Sequence, residues 1–234
     1  MRLVSCGSVF AFCFLFATGC SKGITRATLP TVLFVKGDVV FGNADRDQFQ
    51  PVTPKSKIHD GGTVRTSDGA VINMALIPGA FVQVPGNSEI KIDELRLTKD
   101  GNETAGGMLE RRARIRLTRG RVSVLFSRSN ISASQFTVAT SQAKLTPDSD
   151  CLFSVWTDGI TTRATCGRGE VSASADGQAV VKISAGYFHK WPTATKEPIV
   201  ASADAAAQMD IRTSFEAEKE LLDEAAGWQN RRVF

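Results

Sequence analysis

The sequence predicts an all-β domain followed by one C-terminal α-helix. Between residues 31 and 191, short segments rich in valine, isoleucine and phenylalanine are separated by glycine, aspartate, asparagine or proline. Their spacing, about eight to twelve residues, is typical of strands joined by turns. Residues 89–92 alternate strictly between charged and apolar side chains, which indicates a half-buried strand. A sandwich and a twisted, solenoid-like stack of short strands both fit this pattern.

The C-terminal segment has a helical pattern instead. A linker at 192–202 precedes a predicted helix at 203–229, with Ser202 as its N-cap and Asp204 in the first turn, where negative charge is favourable. The apolar residues that share one helical face are Ile211, Phe215, Leu222, Ala225 and Trp228. Such a face indicates a helix that docks on the β-domain or on another subunit. A helix that binds a separate partner is the alternative.

The N-terminus has the composition of an export signal. Arg2 precedes a mainly apolar run at 3–17, which is shorter than the roughly 20 residues that a membrane-spanning helix needs. A basic start, a short apolar run and small residues at its end are typical of a signal peptide. We therefore predict that residues 1–19 are a signal peptide.

Cys20 follows the small residues Ala17, Thr18 and Gly19, an order that resembles a bacterial lipobox. In a lipobox the cysteine is acylated and becomes the first residue of the mature chain. Ordinary signal cleavage nearby, with Cys20 incidental, is the alternative. We expect Cys20 to be lipidated, residues 20–30 to form a tether, and the acyl chains to hold the protein on a membrane. The protein would then lie in the cell envelope, facing the periplasm, with the outer membrane as the expected site.

Two cysteines remain in the body of the protein, Cys151 and Cys166. Between them, Asp158-Gly159 predicts a hairpin with a two-residue type I′ turn. Counting outward from that turn places the two cysteines directly opposite each other, and an oxidising compartment favours a disulfide between them. That bond would close a 16-residue loop and contribute about 3 kcal/mol. Two free, buried cysteines are the alternative.

A cluster of arginines is the main candidate binding surface. Strand alternation over residues 111–117 buries one set of side chains and projects Arg112, Arg114 and Arg116 together. One interpretation is a basic stripe that binds a polyanion, such as lipopolysaccharide phosphates, a cell-wall polymer or an acidic protein. The other is a solvated strand face paired with acidic residues on neighbouring strands, such as Glu94 or Glu170.

The sequence offers little chemistry for catalysis. The chain has two histidines, His59 and His189, and neither has the spacing of a zinc ligand set. No phosphate-binding glycine loop is evident. We therefore predict no enzymatic activity, no metal site and no cofactor. The net charge of +4 is too small to predict nucleic acid as a partner.

The order of the turn motifs resembles the FecR domain family over about residues 31–191. The motifs are Val35-Lys36-Gly37-Asp38-Val39, residues 58–66, residues 78–88, Gly120-Arg121-Val122, Gly169-Glu170-Val171 and Ala185-Gly186. The chain departs from the family at Gly62 and Pro78, where aspartate is usual. The resemblance implies a twisted, solenoid-like β fold with an interaction role in the periplasm, and it supplies no functional residues.

The founding FecR regulators carry a cytoplasmic sigma-regulating segment and a transmembrane helix, and we expect neither in this chain. The sequence therefore predicts a non-catalytic envelope lipoprotein that acts as a protein-interaction, scaffold or sensor module. A module that binds cell-wall polysaccharide or another polyanion is the alternative. The expected partners are the membrane, through the lipid, and an envelope protein.

Overall fold

The computed structural model describes residues 23–101, 107–128, 132–193 and 195–231. The predicted signal peptide and Cys20 lie outside these residues. The described strands are β1 Ile24–Ala27, β2 Thr31–Lys36, β3 Val39–Asn43, β4 Gln48–Pro51, β5 Thr63–Thr66, β6 Val71–Ile77, β7 Ala80–Pro85, β8 Ser88–Lys99, β9 Met108–Phe126, β10 Ala133–Ala139, β11 Lys144–Pro147, β12 Cys151–Thr157, β13 Thr162–Arg168, β14 Glu170–Ser174, β15 Val181–Ser184, β16 Tyr187–Trp191 and β17 Ile199–Val200. Short 3₁₀ helices at Ala44–Arg46 and Ala201–Ala203 and the helix α1, Ala205–Arg231, complete the described elements.

The strands of the described chain form one continuous sheet that folds on itself into two layers. In sheet A the order is β4-β3-β5-β8-β9-β10-β11-β14-β15, with β1 also paired to β8. In sheet B the order is β2-β6-β7-β9-β12-β13-β16-β17. Strand β9 belongs to both sheets, so it is the connection between the layers.

Strand β9 changes sheets at Gly120. This residue has a φ of +83°, in the left-handed region that glycine adopts without strain. A Cβ there would lie 2.5 Å from the Cα of Ser88 and 2.6 Å from the carbonyl oxygen of Asn87. Glycine is therefore required both by the backbone angle and by the close approach of the preceding hairpin.

The two inner sheet faces pack into one hydrophobic core. Ile90 and Ile92 of sheet A and Val82 and Val84 of sheet B are all fully buried in the same cluster. The predicted all-β class with one C-terminal helix is confirmed. Of the two predicted architectures, the structure is the sandwich, because the core lies between two facing layers.

Sheet B is covered on its outer face as well. All five residues at 122–126 of β9 and all five at 151–155 of β12 are buried, so these strands do not show the alternation of a half-buried sheet. Helix α1 packs across β9, β12 and β13. The molecule therefore has three layers: sheet A, sheet B and the helix.

The helix begins and docks differently from the sequence prediction. Its N-cap is Asp204, whose Oδ1 accepts a hydrogen bond from the backbone N–H of Ala207 at 2.8 Å, rather than Ser202. The predicted apolar face is only partly correct: Phe215 is 44 % exposed and Leu222 is 50 % exposed, whereas Ile211, Ala225 and Trp228 are partly buried. The buried face consists of Ala207, Asp210, Ser214, Ala217 and Leu221. Its small side chains let the helix approach the sheet closely.

Two predicted boundaries also move. The predicted tether at 20–30 contains strand β1, and the backbone N–H of Thr28 donates to the carbonyl oxygen of Leu95 at 3.1 Å. The predicted linker at 192–202 contains β17, which pairs with β16. Both segments supply edge strands because β8 and β16 each have unpaired backbone groups to satisfy.

Asp210 fixes the helix to sheet B. Its side chain is 1 % exposed and contacts two arginines: Arg163 Nε lies 2.6 Å from Oδ2, and Arg121 lies 2.6 Å from Oδ1. Thr165 Oγ1 lies 3.4 Å from Oδ2. A buried carboxylate needs such partners because desolvation of an unpaired charge is costly. The contact therefore determines which helical face meets the sheet.

We expect Asp210→Asn to lower the free energy of unfolding by about 3 kcal/mol, because it leaves the two arginines without their buried counter-charge. Glu218→Gln is the matched control, since Glu218 pairs with the half-exposed Arg168 and should cost about 1 kcal/mol or less. Urea denaturation of the two variants measures the difference. Equal destabilisation by both changes would contradict this role for Asp210.

Candidate functional site

The outer side of sheet A presents the arginines predicted from the sequence. Ala113, Ile115 and Leu117 are at most 1 % exposed and face the core. The arginines between them point to the opposite side. We call this surface the arginine face; it consists of Arg112, Arg114, Arg116 and Arg119 with the carboxylates of Glu89, Asp93, Glu94 and Glu110.

Each of these arginines has a carboxylate partner. Glu94 lies between Arg112 and Arg114, at 3.7 Å and 3.8 Å, and Arg116 lies 3.1 Å from Asp93. Further ion pairs join Arg112 to Glu110 at 2.7 Å and Arg119 to Glu89 at 3.9 Å. The hydrogen bond that Arg112 donates to the Glu110 carboxylate is the main reason that the pKa of Arg112 is raised.

A bulge in β8 places two consecutive acids on this face. The register shifts between Ile92, which pairs with Ile115, and Glu94, which pairs with Arg114. Because a bulge inserts one unpaired residue, Asp93 and Glu94 can both point outward although they are adjacent in sequence. Of the two acids named from the sequence, Glu94 is a partner. Glu170 is not, because it pairs with Lys182 at 3.0 Å on β14 and β15.

The arginine side chains of this face are more exposed to solvent than its carboxylates. The side chains of the four arginines are 39 % to 62 % exposed, whereas those of the four carboxylates are 15 % to 28 % exposed. A guanidinium group has five N–H donors in a fixed plane, so one or two contacts to a carboxylate leave donors directed to solvent. The face is balanced in charge, yet it offers mainly hydrogen-bond donors.

The hairpin that carries the cysteines has a different register from the predicted one. The loop has four residues, 158–161, and Thr157 pairs with Thr162. Asp158 Oδ1 accepts from the N–H groups of Ile160 at 2.8 Å and Thr161 at 2.6 Å. This side-chain capping stabilises a longer loop than the type I′ turn, which needs a positive φ at both central residues. Gly159 alone has one here.

In this register Cys166 pairs with Phe153, and a bulge follows between Phe153 and Leu152. The predicted direct pairing of Cys151 with Cys166 is therefore wrong. The two Sγ atoms nevertheless lie 4.0 Å apart, both in the core, and no disulfide bond joins them in this structure. The disulfide stays a prediction, and it requires the sulfurs to move closer, to about 2 Å.

The environment of Cys151 disfavours a reactive thiolate at that residue. The hydrogen bond with Cys166, followed by burial, raises the pKa of the Cys151 thiol. Both side chains have no solvent exposure. Because the thiolate is the nucleophile in thiol chemistry and reacts only where reagents reach it, the complete burial of both sulfurs suits this pair to a structural role.

The two histidines lie in different environments. His59 is exposed, whereas His189 is 2 % exposed and packs against Trp191 with ring centroids 4.5 Å apart. Burial lowers the pKa of His189. Among the described residues, no group of three or more histidine, cysteine, aspartate or glutamate side chains could hold a metal ion.

We expect the protein, exported as the sequence predicts and isolated without reductant, to contain a bond between Cys151 and Cys166. Alkylation in denaturant should then modify neither cysteine until a reductant is added, as read by mass spectrometry. Reduction should lower the free energy of unfolding by about 3 kcal/mol, and the Cys151→Ser, Cys166→Ser double variant should not respond to reductant. Complete alkylation without reductant would refute the disulfide.

We expect His189 to make the protein less stable in mild acid. Its pKa is lowered by burial, so the unfolded chain takes up a proton first as the pH falls below about 6.5. The contribution is fully present above that pH and is lost toward the lower, folded pKa. His189→Phe should reduce the decline in unfolding free energy between about pH 7.5 and about pH 5.5. His59→Gln, at the exposed histidine, should keep the wild-type decline; equal effects of the two changes would contradict the assignment.

Comparison with known proteins shows no family. No protein-family model matches the chain, and no curated protein does. Two crystal structures of a "putative anti-sigma factor" from Parabacteroides distasonis are similar, each 14 % identical, with TM-scores of 0.39 and 0.38. The alignments cover 58 % of this chain and 57 % of the solved chains, less than two thirds of either. A likeness at this level carries no argument about function, and the FecR resemblance stays a prediction.

Proposed function

We propose that this chain is a lipoprotein of the cell envelope, held on the periplasmic side of the outer membrane by acyl chains on Cys20. Its β-domain is a non-catalytic module that binds an envelope protein, as a scaffold or a sensor. The observation that carries the proposal is the arginine face. Helix α1 covers the outer side of sheet B, whereas the side chains of the arginine face reach solvent.

The geometry of the arginine face favours a protein partner. Its charges occur in pairs on adjacent strands, so the surface offers guanidinium donors whose charge is balanced locally rather than one strong field. Protein interfaces use such local complementarity to set specificity and orientation. The outward guanidinium groups suit carboxylates or backbone carbonyls of a partner, because each still has free N–H directions.

The same pairing supports a recognition role rather than catalysis. The carboxylates of this face are held by guanidinium groups, which keep their protons at all physiological pH values. The module is therefore proposed to bind and not to catalyse, without a cofactor.

Binding of a polyanionic cell-wall polymer is the second candidate. The observation that favours it is the exposure difference, since Arg116 and Arg119 are 59 % and 62 % exposed over acids that are 15 % exposed. A polymer with phosphates or carboxylates would contact the guanidinium groups first. It would also have to compete with the resident acids, which is why the protein partner is preferred.

The test is photo-crosslinking in intact cells with a photoreactive amino acid at Gln135, an exposed residue that pairs with Arg112 from β10. We expect a protein adduct from this position. The adduct should be lost when Arg112, Arg114 and Arg116 are all changed to serine, because the partner loses its donors. The same photoreactive residue at Glu216, exposed on the helix, should give no such adduct.

The matched charge control changes the exposed cations Arg212, Lys196 and Lys219 to serine and should keep the adduct. Salt-sensitive sedimentation of the protein with purified peptidoglycan, lost in the first triple variant and kept in the second, would select the polymer instead. The absence of both signals, or an adduct unaffected by the first triple variant, would refute a binding role for the arginine face.

A further inference from the structure

The described part of the β-domain begins very close in sequence to the proposed lipid. Strand β1 starts at Ile24, four residues after Cys20, and four residues span at most about 14 Å. All four residues of β1 pair with β8, and Thr25 and Thr98 share a hydroxyl hydrogen bond at 2.8 Å. This end of sheet A therefore cannot lie far from the point where the acyl chains enter a bilayer.

Exposed apolar side chains and two cations lie together at this end, next to the exposed Asp100. Ile24 is 53 % exposed and Leu109 is 41 % exposed. Leu109 packs directly on the start of the chain, since a Cβ on Gly23 would lie 2.6 Å from its Cδ1. Arg26 and Lys99 line a cavity of about 290 Å³ beside Ile24. We call these residues the anchor edge: Ile24, Arg26, Lys99 and Leu109.

We propose that the anchor edge lies in the interface of the bilayer that holds the Cys20 lipid, which orients the whole domain on the membrane. The inference rests on the lipidation proposed above. Exposed apolar side chains are stabilised in the interfacial region. Cations on the same edge lie at the level of the lipid phosphates, where their aliphatic stems remain in apolar surroundings.

This placement sets the orientation of the arginine face relative to the membrane. From Met108, next to the anchor edge, to Arg119 the strand β9 extends roughly 35 Å. Arg112 is then the arginine nearest the bilayer and Arg119 the farthest from it. The loop at 158–161 lies at the far end, because Gly159 is beside Thr118. Arg112 lies close to the level of Arg26 on the anchor edge, whereas Arg114, Arg116 and Arg119 extend away from the membrane, where a periplasmic partner can reach them.

The test is the position of spin labels in the full-length, lipidated protein. Variants with one added accessible cysteine, Ile24→Cys, Leu109→Cys and Ile160→Cys, are labelled and placed in vesicles of phosphatidylethanolamine and phosphatidylglycerol. Cys151 and Cys166 are fully buried and do not label in the folded protein. Ile160 is the control, since it is 77 % exposed in the far loop.

We expect the ratio of accessibility to oxygen over accessibility to a water-soluble nickel chelate to be several-fold higher at positions 24 and 109 than at 160. Equal ratios at the three positions would overturn the inference. Protection of positions 24 and 109 from both reagents would overturn it too, because a second copy of the chain would then cover the edge.

Acyl-probe labelling separates this inference from the proposed function. Incorporation in the wild type that is absent in Cys20→Ser supports the anchor. With that anchor present, solvent-like ratios at positions 24 and 109 would refute the orientation alone. Equal incorporation, or none, in both proteins would refute the lipid anchor and the orientation together.

Discussion

The structure depends on one shared strand. Strand β9 pairs with β8 and β10 in sheet A and then with β7 and β12 in sheet B, so every other element is positioned relative to it. Without the turn at Gly120, the two halves would continue as one open sheet with an exposed apolar face. Burial of that apolar face in a closed core is the main source of the protein's stability.

The composition of β9 changes at the same point. Before Gly120 the strand alternates between arginine and apolar residues because one side meets water, and after it residues 122–126 are buried on both sides.

The contact of α1 with sheet B is the second interaction that determines the fold. A helix can pack on a sheet in many rotations, and apolar surface alone discriminates weakly among them because the hydrophobic effect has no direction. Asp210 removes this freedom, since only one rotation brings its carboxylate to Arg121 and Arg163. Phe215 and Leu222 are left partly exposed as a result. A polar pair thus gives the helix a definite orientation, at the expense of apolar burial that a different rotation would have achieved.

The local sequence patterns predicted the positions of the strands well, but predicted less well how neighbouring elements pair and pack. Alternation placed Ala113, Ile115 and Leu117 inside and the three arginines outside, because side-chain direction in a strand is set by period two alone. The outward pair Asp93 and Glu94 was beyond such reasoning, since the bulge depends on how β8 fits β9. The hairpin was predicted but its register was not, because Asp158 caps a four-residue loop with its side chain. The helix was predicted but its buried face was not, because the arginines that bind Asp210 lie about 50 and 90 residues earlier.

These features together bear on the proposed binding of a partner by the arginine face. At physiological ionic strength a charge is screened within about 8 Å, and the resident acids cancel most of the field of the arginines even closer than that. Long-range attraction of a strongly charged polymer is therefore weak, and recognition occurs at contact distance, through the planes of individual guanidinium groups. Contact recognition requires a surface of fixed shape. The pairs across β8 and β9 supply it, because each arginine loses part of its conformational freedom to a carboxylate before any partner arrives. The acids thus reduce the attraction and improve the preorganisation, a combination that favours a specific protein partner over a flexible polyanion.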